Sequence, residues 1–466
     1  MIRVLPWHGR SRGFESLYLH QNKHPLMAGF CFGVIMIIVM FKKIIQRRLE
    51  RYVKKYFQAH PEVKLVVVAG SVGKTSTKMA IATVLSQRYK VRVHEGNHNT
   101  SLSAPLAILG VDYPGKIKSP LAWWSVFKAA QERISQPADV DVIIQELGVD
   151  KPGDMAEFGR YLLPEIAVVT SVTAEHMEFF KTIDSVAKEE LGVTDFSKLV
   201  VINRDDIDGN FAKYLENANL TTYGTSGVAE YRFVDESFSV TSGHSGLIIT
   251  PEYPGGFAAR IQVIGEHNLR PVIGAATVGL VMGLSPEEVV SGVELVRPVN
   301  GRMNPLRGLK GSLILDDSYN SSPLAAECAL TTLYGFQAPQ RIAILGSMNE
   351  LGESSAVEHK KLGEMCDPSL LDWVITIGDE AEKHLAEAAR LRGCQVRSFK
   401  TAIDAGAFAL KVLDDDAVVL AKGSQGGIFV EEAIKFLLHD GADEEKLVRQ
   451  SVDWMEKKNE LYSKFA

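Results

Sequence analysis

The chain has 466 residues, 46% of them hydrophobic and 23% charged, with a formal net charge of -6 at pH 7. A length beyond what one hydrophobic core organises points to two or three domains, and the acidic balance supplies no field for polyanions, which excludes nucleic acid as the main partner. Cys31, Cys328, Cys366 and Cys394 form no C-x-x-C pair, so a disulfide framework and a cysteine zinc site are excluded and a reducing cytoplasm fits best.

Residues 13–17, Gly-Phe-Glu-Ser-Leu, are what one reading frame gives for a stretch common in the T-arm of transfer RNA genes. Residues 1–26 therefore read as a spurious extension, with Met27 as the beginning. An apolar run over 28–41 follows, then Lys42, Lys43, Arg47, Arg48, Arg51, Lys54 and Lys55. This pattern predicts a membrane-proximal helix over 27–60 with its basic side facing the cytoplasm, and inner-membrane association through 27–55. At about 1.5 Å per residue, roughly 16 apolar residues fall short of a hydrocarbon core about 30 Å thick. Ile45, Leu49, Val53 and Phe57 repeat at helical spacing, continuing an amphipathic helix along the membrane or into the next domain.

The β-branched run 64–69 ends in glycine and precedes the helical composition of 75–87. Strand, loop and helix in this order open a nucleotide-binding fold. Apolar strands at 140–145, 166–170 and 199–203 alternate with helical stretches, which predicts a largely parallel sheet covered on both faces. Short alternating segments over 223–264 read as a small antiparallel insertion before a helix at 270–282. A second unit follows, with strands at 313–315, 341–345, 373–377 and 417–420. The expected organisation is α/β: a central P-loop ATPase domain over 61–298, a smaller Rossmann-like domain over 299–440, and a charged helical tail over 441–466.

Gly70, Ser71, Val72, Gly73, Lys74, Thr75 and Ser76 form a short G-x-x-G-K-T-S phosphate loop; the longer pattern would place a glycine at Val68. Its glycines let successive N-H groups turn inward, Lys74 adds a charge for the outer phosphates, and the Thr75 hydroxyl can bind magnesium. Glu146 and His176 follow strand ends, where parallel sheets line their ligand crevice. Oxygen ligands and one imidazole suit Mg2+ or Mn2+ held with phosphate.

The ordered segments GSVGKTS, GNHNTS, QELG, TAEHMEFF, GEHN, NGR, DDSYNSSP, GSMNELGE and AKGS resemble the Mur ligase family over about 64–440. DDSYNSSP and GSMNELGE are most similar to those of the member that adds D-alanyl-D-alanine to a UDP-muramoyl tripeptide. The resemblance implies an ATP-dependent ligase of cell-wall precursor synthesis, active as a monomer in the cytoplasm or at the cytoplasmic face of the membrane. It would form an amide from a small-molecule wall precursor and an amino acid or dipeptide, through an acyl phosphate. By similarity, Thr75 and Glu146 would hold one Mg2+ and Glu146 and His176 a second. Asn268 and Asp317 would contact the nucleoside beside Tyr319 and Asn320, and Arg302 would reach the phosphates. Asn97, Asn99, Lys422 and Ser424 would face substrate.

The sequence departs from that family in three places. The position of the carbamoylated lysine carried by most members falls on Glu190, expected to supply its carboxylate to the second metal directly. The usual UDP-binding domain before the phosphate loop is replaced by one anchor and helix. Gln425 stands where a basic residue often follows the KGS motif. Other readings are a folate-polyglutamylating or cyanophycin-like ligase, which also lacks the front domain, and a non-catalytic ATP-binding scaffold for an amidotransferase.

Overall fold

The computed structural model describes residues 25–117, 119–216 and 219–465, with the backbone path alone over 25–39. The extension expected over 1–26 falls outside them except for Pro25 and Leu26.

The first sheet has nine strands: β1 (Lys64–Ala69), β2 (Val91–Val93), β3 (Val142–Glu146), β4 (Ile166–Val169), β5 (Leu199–Asn203), β6 (Leu220–Gly224), β7 (Tyr231–Ser239), β8 (Gly243–Ile249) and β9 (Phe257–Ile261). Their order is β2-β3-β1-β4-β5-β6-β7-β8-β9. Pairing is parallel as far as β7 and antiparallel from β7 to β9, so the expected insertion is the antiparallel edge of the same sheet. Every residue of β1 after Lys64 is buried, as a β-branched strand covered on both faces requires. Alternate residues serve two cores: Val66 and Val68 pack with the helices on one side, Leu65, Val67 and Ala69 with those on the other.

Helix α1 (Pro25–Ala59) is a single helix of 35 residues. Ile45, Leu49, Val53 and Tyr56 are buried along one stripe, and the helix packs on the helices Ser103–Leu109 and Pro120–Ser135, on the face of the sheet opposite α2 (Lys74–Leu85). The helical repeat therefore continues into the protein body, and Lys43, Arg47, Arg51, Lys54 and Lys55 face outward. Among the described residues no helix is long and apolar enough to cross a membrane.

The second sheet contains β10 (Asn304–Arg307), β11 (Leu313–Asp317), β12 (Arg341–Gly346), β13 (Trp373–Ile377), β14 (Val396–Phe399) and β15 (Val418–Lys422), in the order β10-β11-β15-β12-β13-β14. All pairs but β10-β11 are parallel. The tail is helical over Val452–Tyr462 as its composition predicts, yet part of its charge points inward: Lys458 is fully buried against Glu431 and Glu432.

Candidate active site

Strand β1 lies between β3 and β4 in parallel, so the carboxyl ends of the three meet: Val68 pairs with Glu146 and Ala69 with Val169. The chain leaves β1 through Gly70 at φ +119° and Gly73 at φ +86°. A Cβ at Gly70 would lie 2.8 Å from the Ser171 nitrogen, so both its conformation and its space require glycine. The end of β4 grips the loop from below. Val72 N donates to Ser171 Oγ at 2.8 Å, Thr170 Oγ1 to the Val72 carbonyl at 2.6 Å, and Ser71 N to the Ser171 carbonyl at 2.9 Å.

Gly70 N donates to Glu190 Oε2 at 2.7 Å. Glu190 is fully enclosed, and burial pushes its carboxyl up to about 7, with Lys74 opposing and Glu175 adding to the rise. Lys74 Nζ folds back on the Gly70 and Ser71 carbonyls and lies 3.7 Å from Glu175. Burial opposes its charge, but the carboxylates of Glu175, Glu190 and Glu146 hold the ammonium above its ordinary value.

At the end of β3, Glu146 accepts from Thr75 Oγ1 at 2.9 Å and from Asn99 Nδ2 at 3.0 Å, and Lys78 Nζ stands 3.4 Å away. Burial alone would raise this carboxyl; Lys78, Lys74 and Arg302 outweigh it and hold Glu146 below the usual range. Lys78, four residues after Lys74 on the inner face of α2, is 2% exposed. Burial lowers its ammonium while Glu146 supports the charge, and it also donates to the Gly96 carbonyl at 3.2 Å. A carboxylate so buried is tolerated only when paired and hydrogen-bonded.

The second half of the chain closes the opposite wall. Arg302 Nη2 donates to Thr75 Oγ1 at 3.1 Å, and its guanidinium lies 4.4 Å from the centre of the Tyr319 ring. Among the described residues Arg302 Nε is buried without a hydrogen-bond partner, the kind of donor that an anionic oxygen in the cleft would satisfy. Tyr319 Oη accepts from Asn97, so the loop after β2 touches the second sheet's DDSYN turn. The paired register of β11 and β15 sets Asp317 beside Lys422; their side chains pair at 2.7 Å, and Lys422 also donates to the Asn320 carbonyl at 2.9 Å. These groups, with Asn268 from the first sheet and Lys42 from α1, line one cleft of about 870 Å³.

Residues 68–279 match the Mur ligase middle domain and residues 301–425 the Mur ligase, glutamate ligase domain. The chain belongs to the Mur ligase family. The UDP-N-acetylmuramoyl-tripeptide–D-alanyl-D-alanine ligase of Bacillus subtilis is 25% identical over 341 residues, which cover 71% of this chain and 66% of that protein. Its counterpart in Escherichia coli is 26% identical over 386 residues, 81% of this chain and 77% of that one. The structure of a MurF ligase from Thermotoga maritima in complex with ADP has the same fold, with a TM-score of 0.70 at 22% identity over 86% of this chain and 84% of the other.

In this Mur ligase the phosphate loop, Thr75, Glu146, Arg302, Asn97, Asn99, Asp317, Tyr319, Asn320 and Lys422 are brought together at the cleft. The expected second-metal group is not gathered in the same way. His176, at φ +49°, directs Nδ1 to Glu350 at 2.9 Å and Nε2 toward Glu175 at 3.4 Å and Asp150 at 3.5 Å. Burial lowers this imidazole, but Glu175 and Glu350 outweigh it and raise it to about 10. Glu190 accepts from Gly70 N through one carboxylate oxygen, and among the described residues no three His, Cys, Asp or Glu side chains are grouped to hold a metal ion. Ser424 lies away from the cleft: it is 1% exposed, accepting from Asn349 N at 2.9 Å and donating to the Ser321 carbonyl at 3.3 Å, so it ties two loops of the second sheet together.

Sequence reasoning missed Lys78, Glu175 and Glu350. Lys78 had a signal, one helical turn beyond Lys74, whereas Glu350 meets His176 only through tertiary structure. The loop's dependence on glycine gives a direct expectation. Gly70→Ala costs about 1–3 kcal/mol of backbone strain besides its clash with β4, so its affinity for ADP, followed by calorimetric titration, falls on the order of tenfold or more; unchanged affinity contradicts this geometry.

Proposed function

We propose that this Mur ligase is an ATP-dependent amide ligase working through an acyl phosphate. The observation that carries the reading is the convergence on Thr75: its hydroxyl touches Glu146 of the first sheet and Arg302 of the second, beside Lys74 in a glycine-turned loop. A carboxylate oxygen of the acceptor attacks the γ-phosphorus of ATP, and ADP leaves. The amine then attacks the acyl carbon, loses a proton, and inorganic phosphate departs with the acceptor's former carboxylate oxygen. Both steps move negative charge between oxygens, which calls for fixed cations more than for a covalent nucleophile. Lys74 supplies one beneath the loop, and Arg302, with its unpaired Nε, supplies the other from the far wall.

The Thr75 hydroxyl and Glu146 carboxylate are hard oxygen donors 2.9 Å apart, and they fit Mg2+ or Mn2+ held jointly with ATP oxygens. When bound, the ion supplies charge neutralisation on the phosphates. At position 190 the chain offers a carboxylate that needs no carbamoylation, and through Gly70 that carboxylate fixes the loop's first amide.

The substrates proposed are a muramoyl-peptide wall precursor and D-alanyl-D-alanine, as the names of the relatives suggest. On the acceptor side, Lys42 is a half-buried cation lining the cleft from α1, which supports an acceptor with an anionic group at its far end. We place the enzyme in the cytoplasm, at the membrane face, because five exposed cations lie along the outer side of α1 directly after the apolar run 28–41, and each basic residue near an anionic bilayer contributes about 1 kcal/mol.

The ligase reading is tested by phosphate release with ATP, UDP-muramoyl tripeptide and D-alanyl-D-alanine. Release requires all three and falls at least about a hundredfold in Lys74→Ala; release indifferent to the amine contradicts ligation, and turnover with a different pair reassigns the substrates. Bicarbonate depletion leaves turnover unchanged, while Glu190→Ala abolishes it; a bicarbonate requirement contradicts the proposal that the Glu190 carboxylate stands in for a carbamoylated lysine. The chain sediments with vesicles containing anionic lipid at low salt and is released at high salt; failure to bind such vesicles removes the membrane placement.

A further inference from the structure

The chain continues past the segment that matches the Mur ligase glutamate ligase domain, which ends at residue 425. Its last turns return to the cleft from behind. Arg449, in the left-handed region at φ +57° and 7% exposed, directs its guanidinium into the base of the DDSYN turn. Nη1 donates to the Tyr319 carbonyl at 2.8 Å and Nη2 to the Ser318 carbonyl at 2.7 Å. The other edge meets Glu431, Nε with Oε1 at 2.8 Å and Nη2 with Oε2 at 2.5 Å.

Glu431 is fully buried, and Lys458 shares it at 2.8 Å while bonding Glu432 at 2.6 Å and the Arg449 carbonyl at 2.9 Å. Two tail cations thus meet two buried carboxylates, an arrangement that fixes orientation because any lost member strands a desolvated charge. A planar fork that grips a carboxylate on one side and two successive carbonyls on the other needs a guanidinium; an ammonium cannot span both. The neighbouring Val448 packs where a side chain on Gly301 would have to go, and Gly301 in turn bonds Tyr319 N through its carbonyl at 2.9 Å. Tyr319 is therefore fixed by Arg449 and Gly301 at its backbone, Arg302 at its ring face and Asn97 at its hydroxyl.

We infer that Arg449 is a positioning residue for nucleotide binding: through the Ser318 and Tyr319 carbonyls it holds the turn that presents Asp317 and Tyr319 to the cleft, so the C-terminal tail is a working part of the ATP site. The inference rests on the proposed placement of the nucleoside beside Asp317 and Tyr319. It also accounts for the inward-facing charge of Lys458, which a solvated tail would not need.

The test measures ADP affinity by titration calorimetry, together with KM for ATP and for the acceptor, in the full chain carrying Arg449→Lys or Arg449→Met, with circular dichroism and thermal unfolding as checks on folding. Arg449→Lys keeps a charge for Glu431 and guards against loss of fold in Arg449→Met. Expected is a loss of ADP affinity on the order of tenfold in the lysine variant and a larger one in the methionine variant. KM for ATP rises in step, with KM for the acceptor and kcat within about twofold of the parent. A folded Arg449→Lys enzyme that binds ADP like the parent overturns the inference, as does an equal rise in both KM values. If the parent chain itself binds no ADP, the nucleotide-site reading falls instead.

Discussion

The site depends first on one backbone turn. At Gly70 the chain leaves a central parallel strand and reverses against the end of its neighbour β4, with Thr170 and Ser171 taking up the loop's polar groups. That turn starts α2 at Gly73, so the helix's positive end and Lys74 face the cleft. It works only because β3, β1 and β4 are adjacent and parallel, which brings Glu146 to the Thr75 hydroxyl and Glu190 beneath the loop. The fold and the phosphate site are in this sense one constraint.

A second layer is electrostatic. Within a small buried volume the chain sets Lys74, Lys78 and Arg302 against Glu146, Glu175 and Glu190. No carboxylate among them is left without a cation or a backbone donor, and the positive groups lie on both walls. Lys78 allows Glu146 to stay ionised in the interior, and an ionised Glu146 is what a hard cation beside Thr75 would need. The second sheet completes the arrangement through Arg302, His176 with Glu350, and Asn97 with Tyr319, so the site belongs to neither half alone.

Much of this was legible in the sequence because its cause is local. The β-branched run 64–69, the glycine spacing of 70–73 and the alternation of apolar strands with helices dictate a parallel sheet with a phosphate loop, whatever the rest of the chain does. The amphipathic repeat from Ile45 to Val53 was equally visible, but sequence alone left open whether membrane or protein covers it; α1 packs its stripe on the protein and leaves the basic side out. What could not be read depends on distant partners. Arg449 looks like one cation in a charged tail until the fold places Glu431 and two carbonyls around it. Ser424 sits in a motif suited to substrate, yet its hydroxyl is consumed by Asn349 and Ser321. His176 keeps its position after a strand, but two nearby carboxylates, Glu175 and, from the other half, Glu350, raise its pKa.

The central claim is that the acceptor carboxylate is phosphorylated before the amine attacks. Its most direct test is to label both oxygens of that carboxylate with oxygen-18, run one turnover with unlabelled ATP and amine, and analyse the released phosphate by mass spectrometry. Acyl-phosphate ligation predicts one labelled oxygen in each phosphate and one retained in the amide product. Phosphate that carries no label while amide is formed contradicts the account.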